Sequence, residues 1–177
     1  VTIGTAPNGR NINLDCGSTH PEWLARTVVE SGSALGVAFD GDGDRALFVD
    51  GTGRLVDGDA VMYLCAKRMA ERGTLRGNAV AATVMSNIGL EVALRDLGIG
   101  MLRCPVGDKY VMEEMMRRDL AIGGEQSGHI IFMDTLFTGD GIVTALNVLR
   151  VMAETGQSLA VLAAGYRAYP QVLLNVR

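Results

Sequence analysis

The stretch Phe39–Asp50 reads FDGDGDRALFVD and sets Asp40, Asp42 and Asp44 at alternate positions, with Arg45 directly after them. Like charges this close repel one another, and the arrangement becomes tolerable where a hard divalent cation neutralises them. Gly41 and Gly43 let the backbone bend so that alternate carboxylates converge. The charge balance suits Mg²⁺, which prefers carboxylate oxygens and keeps places for water or a phosphate oxygen. Arg45 adds a bidentate phosphate donor beside the metal. An EF-hand loop also begins D-x-D-x-D, but it needs glycine sixth and a bidentate glutamate twelfth. Arg45 and Gly51 stand there instead, so that reading fails. Two others stay open beside the phosphoryl site. One is a phosphatase of the haloacid dehalogenase kind, with its nucleophile in a D-x-D after a strand. The other is a solvated hairpin turn, which Gly and Asp favour.

A second constellation is Gly123–Ile130, GGEQSGHI. Its glycines flank Glu125, Gln126 and Ser127, so the loop can present polar side chains to a ligand. A carboxylate accepting from two neighbouring hydroxyls, with a serine beside it, suits the vicinal diol of a sugar. Gln126 stands where an esterase elbow would carry its nucleophile, and no acid partner for a Ser127–His129 pair is evident in the sequence. His129 is one of two histidines; its neighbours favour a role toward substrate over a purely structural one. In the third stretch, Pro105–Val111 (PVGDKYV), Lys109 falls in the first turn of a helix. A cation is unusual there given the helix dipole, and the positive helix end favours a neutral amine or an anionic ligand. Lys109 is read either as a substrate-binding or proton-exchanging group, or as a surface lysine.

The elements that must position these residues follow from hydrophobic period and punctuation. Short extended pieces are predicted at Val1–Ile3 and Asn11–Leu14, then a helix over Pro21–Glu30 capped by Ser18 or Thr19. A hairpin of Ala34–Phe39 and Ala46–Val49 carries the aspartates at its tip, with an edge strand at Leu55–Val56. From Asp57 strands and helices alternate. The predicted strands are Ala79–Thr83, Ile99–Arg103, Leu120–Gly123, His129–Met133 and Gln171–Val176. The predicted helices begin at Asp57 and run over Ser86–Leu97, Asp108–Arg117, Thr138–Glu154 and Ser158–Tyr166. Asp57, Asp59 and Asp140 sit at helix starts, where carboxylates cap free N–H groups, so none is assigned a metal. Val111, Met112, Met115 and Met116 form an apolar helical stripe read as core.

This alternation implies an α/β fold with mixed, mostly parallel sheet units and flanking helices. A boundary falls near Asp57, giving units 1–56 and 57–177. The first is too short to cover its own sheet edges and helix face, so it needs more chain, its own or another's.

The 177 residues are 48% apolar with a net charge of −4, enough for a sizeable core and unsuited to nucleic acid as main partner. No apolar run approaches the ~20 residues of a membrane span, and no signal-peptide pattern opens the chain. Cys16, Cys65 and Cys104 have no metal-type spacing, and an odd number of scattered cysteines suits a reducing compartment. A cytoplasmic protein is expected.

DGDGDR, VGDKYV and GGEQSGH, in that order and with α/β spacing between them, resemble the α-D-phosphohexomutase family. NINLDCGSTHPE, VMSNIGLEVAL and YPQVLLNVR fit its bacterial glucosamine-phosphate subgroup, and the resemblance spans essentially the whole chain. It implies four domains around one cleft. Residues 1–56 would be the C-terminal part of the second domain and 57–177 the third. It implies Asp40, Asp42 and Asp44 as Mg²⁺ ligands, and Arg45, Lys109 and His129 as catalytic groups. Glu125, Gln126 and Ser127 would bind a hexosamine phosphate. Gln126 stands where phosphomannomutase/phosphoglucomutase relatives often have methionine, and Lys109 where many glucosamine relatives have arginine. The family's phosphoserine loop (T-A-S-H-N-P-like) and its R-x-S-G-T-E-P phosphate loop have no counterpart here. Domains one and four are therefore expected partners, the chain alone is expected to be inactive, and the longer enzyme could form a homodimer.

Overall fold

The computed structural model describes residues 1–172 and 174. Helix α1 (Glu22–Ser31) lies on a three-stranded antiparallel sheet in the order β1 (Leu35–Phe39), β2 (Ala46–Asp50), β3 (Leu55–Val56). The β1–β2 register pairs Phe39 with Ala46, which makes Asp40–Arg45 the hairpin connection, as the hydrophobic runs on either side require. α1 can approach the sheet because Gly36 has no side chain. A Cβ there would lie 2.6 Å from Val28 and 2.8 Å from Leu24.

The second unit holds α2 (Gly58–Glu71), β4 (Ala79–Thr83), α3 (Ile88–Asp96), β5 (Gly100–Cys104) and α4 (Asp108–Arg118). After these come β6 (Ile122–Gly124), β7 (Ile130–Phe132), α5 (Gly141–Thr155) and α6 (Leu159–Ala163). Its sheet runs β5-β4-β6-β7, parallel except for the last pair. The path steps from β4 to β5 and then back across β4 to β6. Crossovers of one hand in opposite directions place their helices on opposite faces. Side-chain packing agrees. Val80, Ala82, Ile122, Ile130 and Phe132 join the larger core with α2, α3 and α5, while Ala79, Ala81, Cys104 and Ile131 face Val111 and Met115 of α4. The loops after β4, β5 and β6 therefore gather at one edge, where open α/β sheets bind ligands.

α2 is buried continuously from Gly58 to Ala66 because it packs between α3, α5 and α6 and under the sheet. Cys65 lies in this core, its thiol pushed up to about 12 by burial. The same burial takes in Asp59, which has no solvent exposure. Its Oδ2 accepts the Asn87 N–H at 2.7 Å, whereas Oδ1, Ser86 Oγ and the Tyr166 hydroxyl are buried with no hydrogen-bond partner among the described residues. Burial, with the nearby Asp57 charge, raises the Asp59 carboxyl from 3.8 to about 6.

Several expected elements differ. Val1–Ile3 forms no strand, and Asn11–Leu14 is a turn, with Asn13 and Asp15 in the left-handed region that asparagine and aspartate tolerate. Ser18 and Thr19 do not cap α1. Pro21 holds that position without a side-chain bond, and the Ser18 N–H is spent on Phe39 O at 3.1 Å. α3 and α5 start later than predicted because Asn87 and Asp140 are the caps, accepting from Gly89 and Val143. Met116 points outward at 65% exposure, so the methionine stripe contributes Met112 and Met115 to the core. Gln171, Val172 and Leu174 form no strand; the rest of the predicted strand Gln171–Val176 lies outside the described residues. As the brevity of the first unit implied, β1 is an edge strand and Ile12, Leu14 and Val29 are exposed. A cleft of about 710 Å³ lies there, lined in part by Leu14, Trp23, Phe39 and Asp40.

A raised carboxyl favours the fold while it is protonated. That stabilisation is complete below about 3.8 and is lost as pH rises through about 6. The difference is about 3 kcal/mol. Asp59→Asn keeps an oxygen for the Asn87 N–H and cannot ionise. Denaturant titrations at pH 4 and pH 7 are expected to show the parent losing about 2 kcal/mol more than the variant between them, the rest having been lost below pH 4. Equal losses would show that Asp59 is not the buried titrating group.

Candidate functional site

The hairpin connection Asp40–Arg45 is shaped from within and from behind. Asp40 Oδ1 accepts the Arg45 backbone N–H at 3.2 Å, closing the loop on itself. Gly43, at φ 77, takes a turn that costs a glycine little. The Gly141 N–H at the start of α5 donates to Gly43 O at 2.9 Å, and Ala46 N–H donates to Gly128 O at 3.1 Å. Arg45 and His129 form an antiparallel bridge that joins the first sheet to the loop before β7. The joint is tight: a Cβ on Gly128 would lie 2.4 Å from Ala46 O, and one on Gly141 would lie 2.8 Å from Arg45 O.

Asp40, Asp42 and Asp44 each offer one oxygen, and these oxygens lie within 4.8 Å of one another. Ligand oxygens around one Mg²⁺ lie at most ~4.2 Å apart, twice the ~2.1 Å bond length, so a small closure suffices. Asp44 Oδ1 is inaccessible to solvent and has no hydrogen-bond partner among the described residues, as a carboxylate oxygen reserved for a cation would be. Arg45 Nε stands 3.7 Å from both Asp40 Oδ2 and Asp44 Oδ1, close enough to offset charge and too far to occupy the oxygens as a donor. The donor set and the orphaned oxygen fit Mg²⁺. The half-exposed guanidinium stays open to an anion.

Gly124–Gly128 is the hub to which the other loops are tied. Glu125 Oε1 accepts the Gly107 N–H at 3.2 Å and Oε2 accepts the Ser127 hydroxyl at 3.2 Å, so its carboxylate holds the PVGDKYV loop. Gln126 does not project from the loop as expected. Its Nε2 donates to Asp57 Oδ2 at 3.3 Å, and its carbonyl accepts the Gly58 N–H at 3.0 Å. Asp57, read only as a cap, thus does two things: its other oxygen caps α2 through the Ala60 N–H. Burial raises its carboxyl, with those hydrogen bonds opposing the rise.

Lys109 lies in the first turn of α4, as predicted. Its side chain is 71% exposed and 3.8 Å from Glu113, a pair worth little, so its amine is free to reach a ligand.

His129 stands differently from its expected place at the substrate. It is 4% exposed, with Nδ1 2.9 Å from Asp44 Oδ2 and Nε2 accepting the Gly139 N–H at 3.2 Å. The acid partner not evident in the sequence exists, yet no nucleophile triad forms, because Nε2 is engaged and Ser127 bonds Glu125. Gly139 was missed altogether. Its only sequence signal is the glycine of T-G-D before α5, where a Cβ would meet the His129 ring at 2.5 Å.

A family model described as phosphoglucomutase/phosphomannomutase, alpha/beta/alpha domain III, matches residues 57–169. The chain belongs to the phosphoglucomutase/phosphomannomutase family. It is similar to the phosphoglucosamine mutases of Thermoanaerobacter sp. (strain X514), at 52% identity over 177 residues, and Desulforudis audaxviator, at 54%. All of the chain is covered, against 40% and 39% of those relatives, so it spans about two fifths of their length. Among solved structures it resembles a phosphoglucomutase/phosphomannomutase family protein from Burkholderia thailandensis, with TM-score 0.75 and 25% identity over 86% of this chain and 33% of that one. It also shares the fold of Aspergillus fumigatus N-acetylphosphoglucosamine mutase, solved with GlcNAc-6P and magnesium (TM-score 0.74, 23% identity, 92% of this chain and 39% of that one). No helix among the described residues of this phosphohexomutase chain is long and apolar enough to cross a membrane.

Gly58→Ala tests the hub. Its Cβ would lie 2.1 Å from Glu125 O and 2.8 Å from the Gly128 nitrogen, backbone atoms that cannot yield without moving the loop. The expected loss is about 1–3 kcal/mol of stability. Amide shift changes are expected throughout residues 125–128, and an unperturbed loop in the NMR spectrum would refute the close approach.

Proposed function

We propose that this chain carries the metal loop and the sugar loop of an enzyme interconverting glucosamine 6-phosphate and glucosamine 1-phosphate. Residues 1–56 are assigned to the end of the second domain and 57–177 to the third; domains one and four of the longer enzyme are its partners. One observation carries the reading: the Arg45–His129 bridge and the Ala46–Gly128 hydrogen bond join the acidic loop directly to the Glu125–Ser127 loop. A group that neutralises phosphate thereby sits beside one suited to a vicinal diol. Identity above 50% to phosphoglucosamine mutases supports the hexosamine phosphate over other hexose phosphates.

In this reading Asp40, Asp42 and Asp44 hold Mg²⁺, which when bound offsets charge on a phosphoryl group in transfer. Arg45, beside the carboxylates, would bind the phosphoryl oxygens. Glu125 and Ser127 hold ring hydroxyls, and Lys109 reaches the substrate's phosphate from the edge of α4. A phosphoserine of domain one gives its phosphoryl group to the sugar, and the bisphosphate turns over within the cleft and returns the other. Contacts to the ring must therefore serve both orientations. The half-buried Gln126 amide acts through loop position, since it is bound to Asp57.

Calorimetric titration with Mg²⁺ tests the metal loop. The chain is expected to bind one ion, and Asp42→Asn, which removes the most exposed carboxylate, to bind it about tenfold more weakly or worse. Unchanged affinity would refute the assignment. The 177-residue chain alone is expected to give no mutase turnover, for want of a phosphoserine loop. Sustained turnover, or steady phosphate release from glucosamine 6-phosphate as a phosphatase would give, would overturn the proposed division of labour.

A further inference from the structure

We infer that His129 is a positioning residue for the metal loop: it holds Asp44 so that one carboxylate oxygen is presented to the cation. The inference rests on the metal assignment above and goes beyond it, because it gives a residue of the sugar loop control over the metal.

The geometry is specific at each atom. Asp44 Oδ2 belongs to a carboxylate, which accepts and does not donate, so the ring nitrogen that faces it, Nδ1, carries the hydrogen. Nδ1–H then donates to Asp44 Oδ2 at 2.9 Å. Asp44 Oδ2 is thereby satisfied, while Oδ1 is left buried and without a donor among the described residues. The two oxygens of one carboxylate are differentiated, one tied to the protein and one left for a ligand. Metal-binding side chains are commonly oriented in this way by a neighbour. His129 cannot swing aside: its backbone is bridged to Arg45, its ring is buried, and Gly139 packs against the ring face. With both nitrogens engaged, the ring has no free atom for a substrate hydroxyl. Its leverage on the reaction runs through Asp44.

The clamp also links two sites. Gly128, whose carbonyl accepts from Ala46, ends the Glu125–Ser127 hub, and the next residue is His129. A shift of the hub therefore moves the donor on Asp44.

The test compares Mg²⁺ affinity, by calorimetry, in the parent and in His129→Leu and His129→Asn. Leucine removes the donor; an asparagine amide can stand near the Nδ1 position and donate in its place. His129→Leu is expected to weaken Mg²⁺ binding about 10- to 100-fold, and His129→Asn to recover most of the loss. Melting temperatures in EDTA separate this from general destabilisation, because a purely structural role would lower stability without selective loss and rescue of metal affinity. If the parent binds Mg²⁺ and His129→Leu binds it equally well, the positioning role is overturned and the metal site stands. If the parent binds no Mg²⁺, the metal assignment itself fails. Should His129→Leu not fold, nitrogen NMR of the parent decides, with the exposed His20 removed by His20→Gln. Hydrogen on Nδ1 supports the inference, and hydrogen on Nε2 overturns it.

Discussion

Three carboxylates confined to one hairpin connection must be held close without being neutralised by the protein itself. Had the chain supplied strong donors to every oxygen, the loop would be stable and useless as a metal site. The fold meets the constraint from behind. Backbone N–H groups of Arg45 and Gly141 fix the loop's path, and among the described residues the only side-chain hydrogen bond to Asp44 comes from His129 and spends one oxygen. Arg45 supplies charge at 3.7 Å rather than a hydrogen bond. The residual repulsion among the carboxylates is what a divalent ion would relieve.

That scaffold explains why the second unit is built as it is. The Gly124–Gly128 loop leaves a strand buried on both faces and is tied to α2 through Gln126 and Gly58 and to α4 through Glu125 and Gly107. α2 itself is buried along most of its length, so the loop rests on a helix that α3, α5, α6 and the sheet hold from several sides. Asp59, one turn into that helix, shows how little the packing leaves to solvent: its carboxyl stays protonated to higher pH than a surface acid because no water reaches it.

What could be read from the sequence was local. The D-x-D-x-D run, the hairpin around it, the order of strands and helices from Asp57, and the caps Asp57 and Asp140 follow from spacing, period and turn chemistry within a few residues. What could not be read was pairing across distance. His129 and Asp44 stand 85 positions apart, and Gln126 and Asp57 stand 69 apart. No periodicity connects such residues. The extended pieces near the start failed for a local reason: Asn11–Leu14 has apolar residues at alternate positions, but Asn13 and Asp15 take the left-handed region and Leu14 N–H bonds Asn11 O, so it folds into a turn.

The same distinction separates residues that define the chemistry from residues that permit it. Asp40, Asp42, Asp44 and Arg45 are recognisable because their types announce charge and coordination. Gly58, Gly128, Gly139 and Gly141 announce nothing, yet each lies where a single methyl group would collide with backbone or with the His129 ring. At these four places the absence of a side chain lets two sheets, a helix start and a loop approach within hydrogen-bond range. The acidic loop needs that approach more than it needs any particular neighbour. Without it Asp44 would lose its anchor, Gly43 would lose its donor, and the three carboxylates would move apart into water. The spacing between the acidic loop and the Glu125–Ser127 loop is then set by how closely two backbones meet, and only secondarily by the side chains they carry.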